Sequence, residues 1–463
     1  MIPASTLWKA RAAAGAGGST PYIIAYQISG YSRTFCTAPT GFTDWYSWIS
    51  LGFAGQFTMT AQDLEGGCST SDVSFTVTDY NRQLTADLQT GINLLGKTCT
   101  ILVGFPGMAQ ADYITLMTLL VDHIDLANNN TAYKFTLHDN SLLMQQFAFQ
   151  TSNNGYPTSK QNPVTVQGSP MAILETAVED SGLPSANLNT TAIDNLNTNV
   201  YFGLNFQFNL TYPPRAKDFM EQELLKPLGA YWYWNYLGQL TPYSMLPYEE
   251  PASEMTLDGS NIDLATPPVP LRAKEYKSVV IYKMDADSNG QNFQTVIVGE
   301  YAPAVNLYGI TQSSQIISRG VQSSLGGARI AHLTMQNIFR RYGLKPFTLR
   351  IRCFLPAFLL ELSDHVTVTH PKIPNGMWPS KFRMPGTMGI TGTMWEVIGK
   401  TVDFNDGTVE LTLLDTSWLV EYGLWLFAPN TEPTYTSAIN SKYMFVCGSG
   451  NKYSNGDTAR LLY

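Results

Sequence analysis

Charge is scarce in these 463 residues. Asp, Glu, Lys and Arg together make up 14%, well short of the usual quarter. What charge there is leans acidic, with 28 Lys+Arg against 36 Asp+Glu and a formal net charge of −8. No basic run occurs, and a stand-alone nucleic-acid binder needs a basic stripe to neutralise phosphates. Specific nucleic-acid binding is therefore not expected. Cysteine is also sparse: Cys36, Cys68, Cys99, Cys353 and Cys447 stand far apart, with no CxxC pair. That argues against a zinc ribbon or a thioredoxin-like site and fits reduced thiols in a protein made in a reducing cytoplasm. There is no uncharged apolar run of about 18 residues to cross a membrane. The start, "MIPASTLWKARAAAGAGGSTP", lacks the apolar stretch of a secretory signal. The three N-x-T sequons at Asn129, Asn189 and Asn209 thus have no secretory context.

Aromatics, by contrast, reach 12%, and Gly, Ser, Thr and Asn are abundant. This profile suits a β-rich chain whose polar surface is uncharged or covered by partners. Length sets a soft prior of about three domains, and a chain of this size buries a large core without metal or disulfide staples.

Along the chain, residues 1–21 are Ala/Gly-rich with Trp8 as the single large anchor, which reads as a flexible N-terminal arm. Residues 22–165 are mostly short strands: "SDVSFTVTDY" alternates Val73, Phe75 and Val77 on one face, and an Asn-rich turn sits at Asn128–Asn130. Residues 166–265 mix helices and strands. Ser169 and Pro170 suit an N-cap and first helical position, with Met171, Leu174, Ala177 and Val178 on one face. A second helix aligns Met220, Leu224 and Leu228, ends by Gly229 and turns into "AYWYWNY". About 248–270 reads as a loop. Residues 266–417 bring a hairpin across Ser288-Asn289-Gly290 and a helix at 326–342 with Ala331, Met335, Ile338 and Phe339 on one stripe. They close with strands joined at Asn405-Asp406-Gly407, a tight-hairpin signal. Residues 418–463 form an aromatic, Gly- and Ser-rich tail. The order strands, helix, strands occurs twice. The fold class is α+β, dominated by β.

Two of the five histidines fall in "LELSDHVTVTHPKIP" beside Asp364. Side chains alternate along a strand, so Asp364, Val366, Val368 and His370 share one face while His365, Thr367 and Thr369 take the other. The histidines are an odd five positions apart and cannot aim at one metal from one strand. The segment reads as architecture, with Val366 and Val368 in a core.

Other candidate sites are weak. "DADSNG" places Asp285, Asp287 and Asn289 at alternate positions before Gly290, like the first half of a calcium loop. Val296 stands where the bidentate glutamate belongs, and a plain hairpin turn explains the residues. The close acid pairs Glu249/Glu250, Glu221/Glu223 and Asp285/Asp287 read as solvated, and no G-x-S-x-G elbow exists. No catalytic, metal or cofactor site is expected. "AYWYWNY" sends Tyr231 and Tyr233 one way and Trp232 and Trp234 the other, a possible contact surface for a protein or a sugar.

"LELSDHVTVTHPKIP…MWEVIGKTVDFNDGTVELTLLD" resembles the last barrel strands of tail hub proteins from long-tailed bacteriophages and gene transfer agents, with the helix "GGARIAHLTMQNIFRRYG" just upstream. "FTVTDYNRQLTADLQTGINLLGKTCTILVGF" resembles that family's first tube-like barrel. "SPMAILETAVEDSGLPSANL" resembles its helix segment ending in Gly-Leu-Pro, although Ser169 stands where histidine is common. The likeness runs over roughly residues 60 to 417, and each motif is degenerate; order and spacing carry it. It implies two tube-like β-barrel domains, 22–165 and 266–417, with a helix-containing insert at 166–265. It also implies a homotrimeric, non-catalytic virion protein at the tail tip that joins the tail tube to a central fibre or spike. Its partners would be itself, the distal tail or tube protein, the tape measure protein and a fibre. DNA would pass through the ring during ejection, and the host surface would be touched only indirectly. An alternative is a receptor- or carbohydrate-binding tail-tip protein using Tyr231, Trp232, Tyr233 and Trp234.

Overall fold

The computed structural model describes residues 1–14, 21–145, 148–149, 164–210, 212–245, 251–272, 276–287, 290–374, 388–416, 426–429 and 443–447. A seven-stranded sheet is built from the first part of the chain. Its spatial order is Trp45–Tyr46, Thr34–Cys36, Ile23–Ile28, Thr98–Gly104, Ile114–Ala127, Ala132–His138 and Val73–Thr78. The expected alternation holds, with Val73, Phe75 and Val77 buried and the intervening Ser and Thr half-buried. At the tip of its longest hairpin Asn128, Asn129 and Asn130 all have positive φ, at 47°, 54° and 66°. Asparagine is among the few side chains that tolerate that region.

A second sheet runs Met255–Leu257, His365–Pro374, Met388–Asp403, Thr408–Asp415, Phe347–Phe354 and Val269–Arg272. The long strand Met388–Asp403 pairs with His365–Pro374 along its first part. Beyond that its free edge takes Gln56–Gln62, with Thr60 opposite Gly399 and Phe57 opposite Val402. A strand from the first half of the chain thus completes the sheet of the second. Buried side chains of both sheets, from Phe75 and Ile101 to Leu349 and Val397, form one continuous core. The β-dominated α+β class is the observed one. Among the described residues no ladder joins the edge strands of either sheet, so closure of the expected barrels is not observed. The edges are short, and the inner faces are covered by packing together instead.

A smaller core gathers the helical elements. Pro170–Asp180 starts as expected, with Ser169 Oγ accepting from Ala172 N at 3.3 Å. Ala216–Asp218, Phe219–Leu225 and Lys226–Leu228 run on as one helix whose middle is π-wound, and Gly229 ends it at φ +63°. The hairpin Ala230–Trp234/Leu240–Ser244 follows. Helix Gly327–Tyr342 packs on a three-stranded sheet of Phe293–Glu300, Val279–Ala286 and Ser313–Ile317.

The packing departs from the expected grouping in three ways. The hairpin 279–300 and the helix at 327–342 bury Val280, Tyr282, Met284 and Ile330 in the smaller core with residues of the insert. Their buried apolar side chains belong to that core and not to the core of the strands 347–415. The stretch read as a loop at 248–270 supplies two edge strands, Met255–Leu257 and Val269–Arg272. Residues 1–14 are not a flexible arm. Thr6–Ala14 is a helix, Trp8 is fully buried with Nε1 donating to Val103 O at 3.1 Å, and Ile2 N donates to Leu359 O at 2.7 Å. Burial of one indole and its hydrogen bond fixes an alanine-rich segment that has little cohesion of its own. Of the C-terminal tail, Leu426–Pro429 and Tyr443–Cys447 form a parallel pair; the rest lies outside the described residues.

Candidate functional site

The strand Ala230–Trp234 lies at the seam of the two cores. Tyr231 and Tyr233 belong to the larger core, Trp232 and Trp234 to the smaller, and all four are buried. Tyr231 OH donates to Glu396 Oε1 at 3.1 Å, Ser363 Oγ donates to Tyr233 OH at 3.2 Å, and Trp232 Nε1 donates to Glu221 Oε1 at 2.9 Å. Alternation sorts the rings as the sequence implies, but both faces are core. The contact surface expected at Tyr231, Trp232, Tyr233 and Trp234 is therefore not one that an outside ligand reaches.

Beside this seam sits a buried ion junction. Arg341, on the helix Gly327–Tyr342, donates from Nη1 to Glu396 Oε2 at 2.7 Å and from Nη2 to Glu396 Oε1 at 2.8 Å. Its Nη1 also donates to Met245 O at 3.0 Å. Arg341 Nε lies 2.7 Å from Asp63 Oδ2, an ion pair whose angle is not that of a hydrogen bond. Tyr342 OH donates to the same Asp63 oxygen. Burial alone would push the Arg341 guanidinium down; Glu396 and Asp63 overcome this and hold it well above the usual arginine value. The junction ties residue 63, in the first third of the chain, to residues 341 and 396 in the last.

His365 stands opposite Glu396 in the strand ladder. Burial pushes its imidazole below the usual histidine value, partly offset by Glu396. His370 Nδ1 accepts from Lys372 N at 3.1 Å. Val366 and Val368 are in the core, as expected. Asp364 accepts from Glu361 N at 2.8 Å and lies 3.0 Å from the Met1 amino group. Next to it Lys400 is buried and donates to Phe358 O at 2.8 Å and Leu360 O at 2.5 Å. Burial lowers the Lys400 ammonium to about 8 and raises the Glu361 and Asp364 carboxyls.

The acids weighed in the sequence are likewise spent on structure. Asp285 Oδ1 accepts from Ser323 N at 2.7 Å, and Asp287 accepts from Gln291 N at 2.9 Å and Asn292 Nδ2 at 2.6 Å. Ser288, Asn289, Glu249 and Glu250 lie outside the described residues. Glu223 binds Arg319 side-on, accepting from its Nε at 2.8 Å. Among the described residues no group of three His, Cys, Asp or Glu side chains stands close enough to hold a metal ion.

The outward surface is of another kind. Helix Gly327–Tyr342 covers the inner face of the three-stranded sheet, and the outer face carries exposed side chains. Val298, Ile281 and Gln315 form one cross-strand row and Val296, Lys283 and Ile317 the next. Val296, Val298 and Ile317 are 50%, 61% and 45% exposed. Among the described residues no strand pairs with the outer edge of Phe293–Glu300. "FQTVIVGE" has none of the lysines, prolines or bulges that blunt an edge. Sequence reasoning saw the alternating hairpin and missed that Val296 and Val298 stand exposed on its outer face; the signal was the run Val296-Ile297-Val298, apolar on both faces.

No family model matches the chain, and no curated protein matches it. Among solved structures it is similar to the 43 kDa tail protein of prophage MuSo2 from Shewanella oneidensis. That match has a TM-score of 0.49 and 11% identity over 86% of this chain and 99% of that one. It is also similar to a tail protein from Neisseria meningitidis MC58, with TM-score 0.47 and 11% identity over 85% of this chain and 97% of that one. For the prophage tail protein gp18 from Listeria monocytogenes EGD-e the values are 0.39 and 12%, over 86% and 95%. No residue role is carried over from any of them.

Proposed function

We propose that the chain is a structural protein of a phage tail, without catalytic activity, and that it forms the tail-tip or baseplate hub. In this reading a homotrimeric ring joins the tube to a fibre or spike and lets the tape measure and DNA through. One observation carries the reading. The buried charges of Asp63, Arg341, Glu396 and Lys400 join segments of the chain to one another, while the three-stranded sheet presents exposed Val296, Val298 and Ile317 beside an edge that pairs with no strand among the described residues. A molecule so arranged offers surface for assembly. The segments that bear the family resemblance support it, since they fold in the expected order: strands before 140, the capped helix at Pro170–Asp180, the helix at Gly327–Tyr342, then strands to Asp415. Net acidity suits a channel to which DNA does not stick. The tail proteins named above agree with this reading and do not carry it.

The test is complementation. A producing strain lacking the gene should release particles without complete tails, and the wild-type chain supplied in trans should restore them. Val296→Lys with Val298→Lys, folded by circular dichroism, should fail to restore them. Complete tails formed in the absence of the protein would end the proposal.

A further inference from the structure

A cleft of about 450 Å³ opens where the strand Phe206–Leu210, the start of the helix at 216–228 and Ala286, Asp287 and Gly290 of the hairpin at 279–300 meet. Its volume lies in the range of small-molecule sites. Two glycines shape it. The ring of Phe208 occupies the place that a Cβ on Gly320 would fill, and a Cβ on Gly290, whose φ is +67°, would stand 2.9 Å from Arg319 Cδ. Arg319 is thereby laid along the wall, where Glu223 accepts from its Nε at 2.8 Å and from its backbone N at 3.2 Å. At the mouth stands Tyr212, 56% exposed.

Charge and hydrogen-bonding capacity narrow the ligand class. The lining includes Arg215 and Arg319 against Asp218, Glu223 and Asp287, one more acid than base, so an anion is not favoured. A wholly apolar ligand would strip water from the Arg319–Glu223 pair and the neighbouring amides without replacing its hydrogen bonds. Gln222 uses Nε2 on Glu65 O at 3.3 Å and Asn209 uses Oδ1 on Thr165 Oγ1 at 3.0 Å. Each has its other amide atom left to give, one an acceptor and the other a donor. An amphipathic ring beside amides and a fixed ion pair suits a ligand with one C–H face and a fringe of hydroxyls. We propose that this cleft binds a neutral saccharide of one or two rings, stacked on Tyr212 and hydrogen-bonded by Gln222, Asn209 and the Arg319–Glu223 pair. The proposal rests on the cleft alone and stands or falls independently of the hub reading. It also moves any carbohydrate contact away from Trp232 and Trp234.

The test is saturation-transfer NMR on the full chain with lactose, cellobiose and N,N′-diacetylchitobiose, and with sialyllactose as the anionic comparator. At least one neutral disaccharide should receive saturation and bind more tightly than sialyllactose. Tyr212→Ala, at an exposed position, should weaken that binding about tenfold, and Tyr212→Phe should stay within about threefold of wild type. No transfer to any neutral sugar at about 10 mM, tighter binding of sialyllactose, or unchanged affinity in Tyr212→Ala would each overturn it.

Discussion

Arg341→Met should be among the most damaging single substitutions in the chain, and removing the charges of its two partners as well should undo most of the harm. The guanidinium is the cation for both Glu396 and Asp63 in a buried setting. Without it Glu396 keeps the Tyr231 hydroxyl and Asp63 keeps the Tyr342 hydroxyl, but two carboxylates stand in the interior with no opposite charge. Breaking a buried pair by removing one partner costs about 3–5 kcal/mol. With a urea m-value of about 3 kcal/mol/M, the midpoint should fall by about 1–2 M. Arg341 belongs to the helix of the smaller core and Glu396 to the sheet of the larger, so the variant should also separate one unfolding transition into two. Removing all three charges in Arg341→Met with Glu396→Met and Asp63→Asn should return stability to within about 2 kcal/mol of wild type, since uncharged groups of similar volume can replace a buried ion cluster. Tryptophan fluorescence in urea reads all of this. A midpoint shift below about 0.3 M for the single variant, or a triple variant less stable than the single, would refute the reasoning.

Three further outcomes follow from the same contacts. Lys400 has a folded pKa lowered to about 8, so between about 8 and the ordinary value near 10.4 the unfolded chain holds more protons and stability rises with pH, by about 3 kcal/mol in full; denaturation midpoints should show this rise in the wild type and lose it in Lys400→Met. Trp8→Ala removes a fully buried indole and its bond to Val103 O, and should cost about 3–5 kcal/mol; a thermal midpoint equal to wild type would restore the idea of a loose arm. His138, held by Asp139 and pushed up to about 9, stabilises the fold fully below its unfolded value near 6.5, and the benefit is lost as pH rises through about 9; NMR titration of its ring protons should give that value, and Asp139→Asn should bring it back toward 6.5.

Local signals were legible where local chemistry decides. Ser169-Pro170, Gly229, the Asn128–Asn130 turn and the stripe on Gly327–Tyr342 all place their elements correctly, because caps, turns and helical faces are set within a few residues. The helices Gln83–Gln89, Thr190–Asn195 and Ala302–Tyr308 have no counterpart in the sequence reading. Each is short enough that tertiary packing, not propensity, makes it helical. The pairing of Gln56–Gln62 with residues 399–403 joins positions more than 300 apart, and nothing in either strand names its partner. The seam strand shows the limit most plainly. Alternation separates Tyr231 and Tyr233 from Trp232 and Trp234, but only the second core reveals that neither face is free. The ion junction was invisible for the same reason: Asp63, Arg341 and Glu396 are ordinary charged residues until the fold brings them together.

The central claim, a structural protein at the end of a phage tail, is tested most directly by immunogold electron microscopy of particles from the producing culture, using antibody raised against the whole chain. The account predicts gold confined to the distal end of the tail. Particles without gold, with the protein free in the lysate, would contradict it.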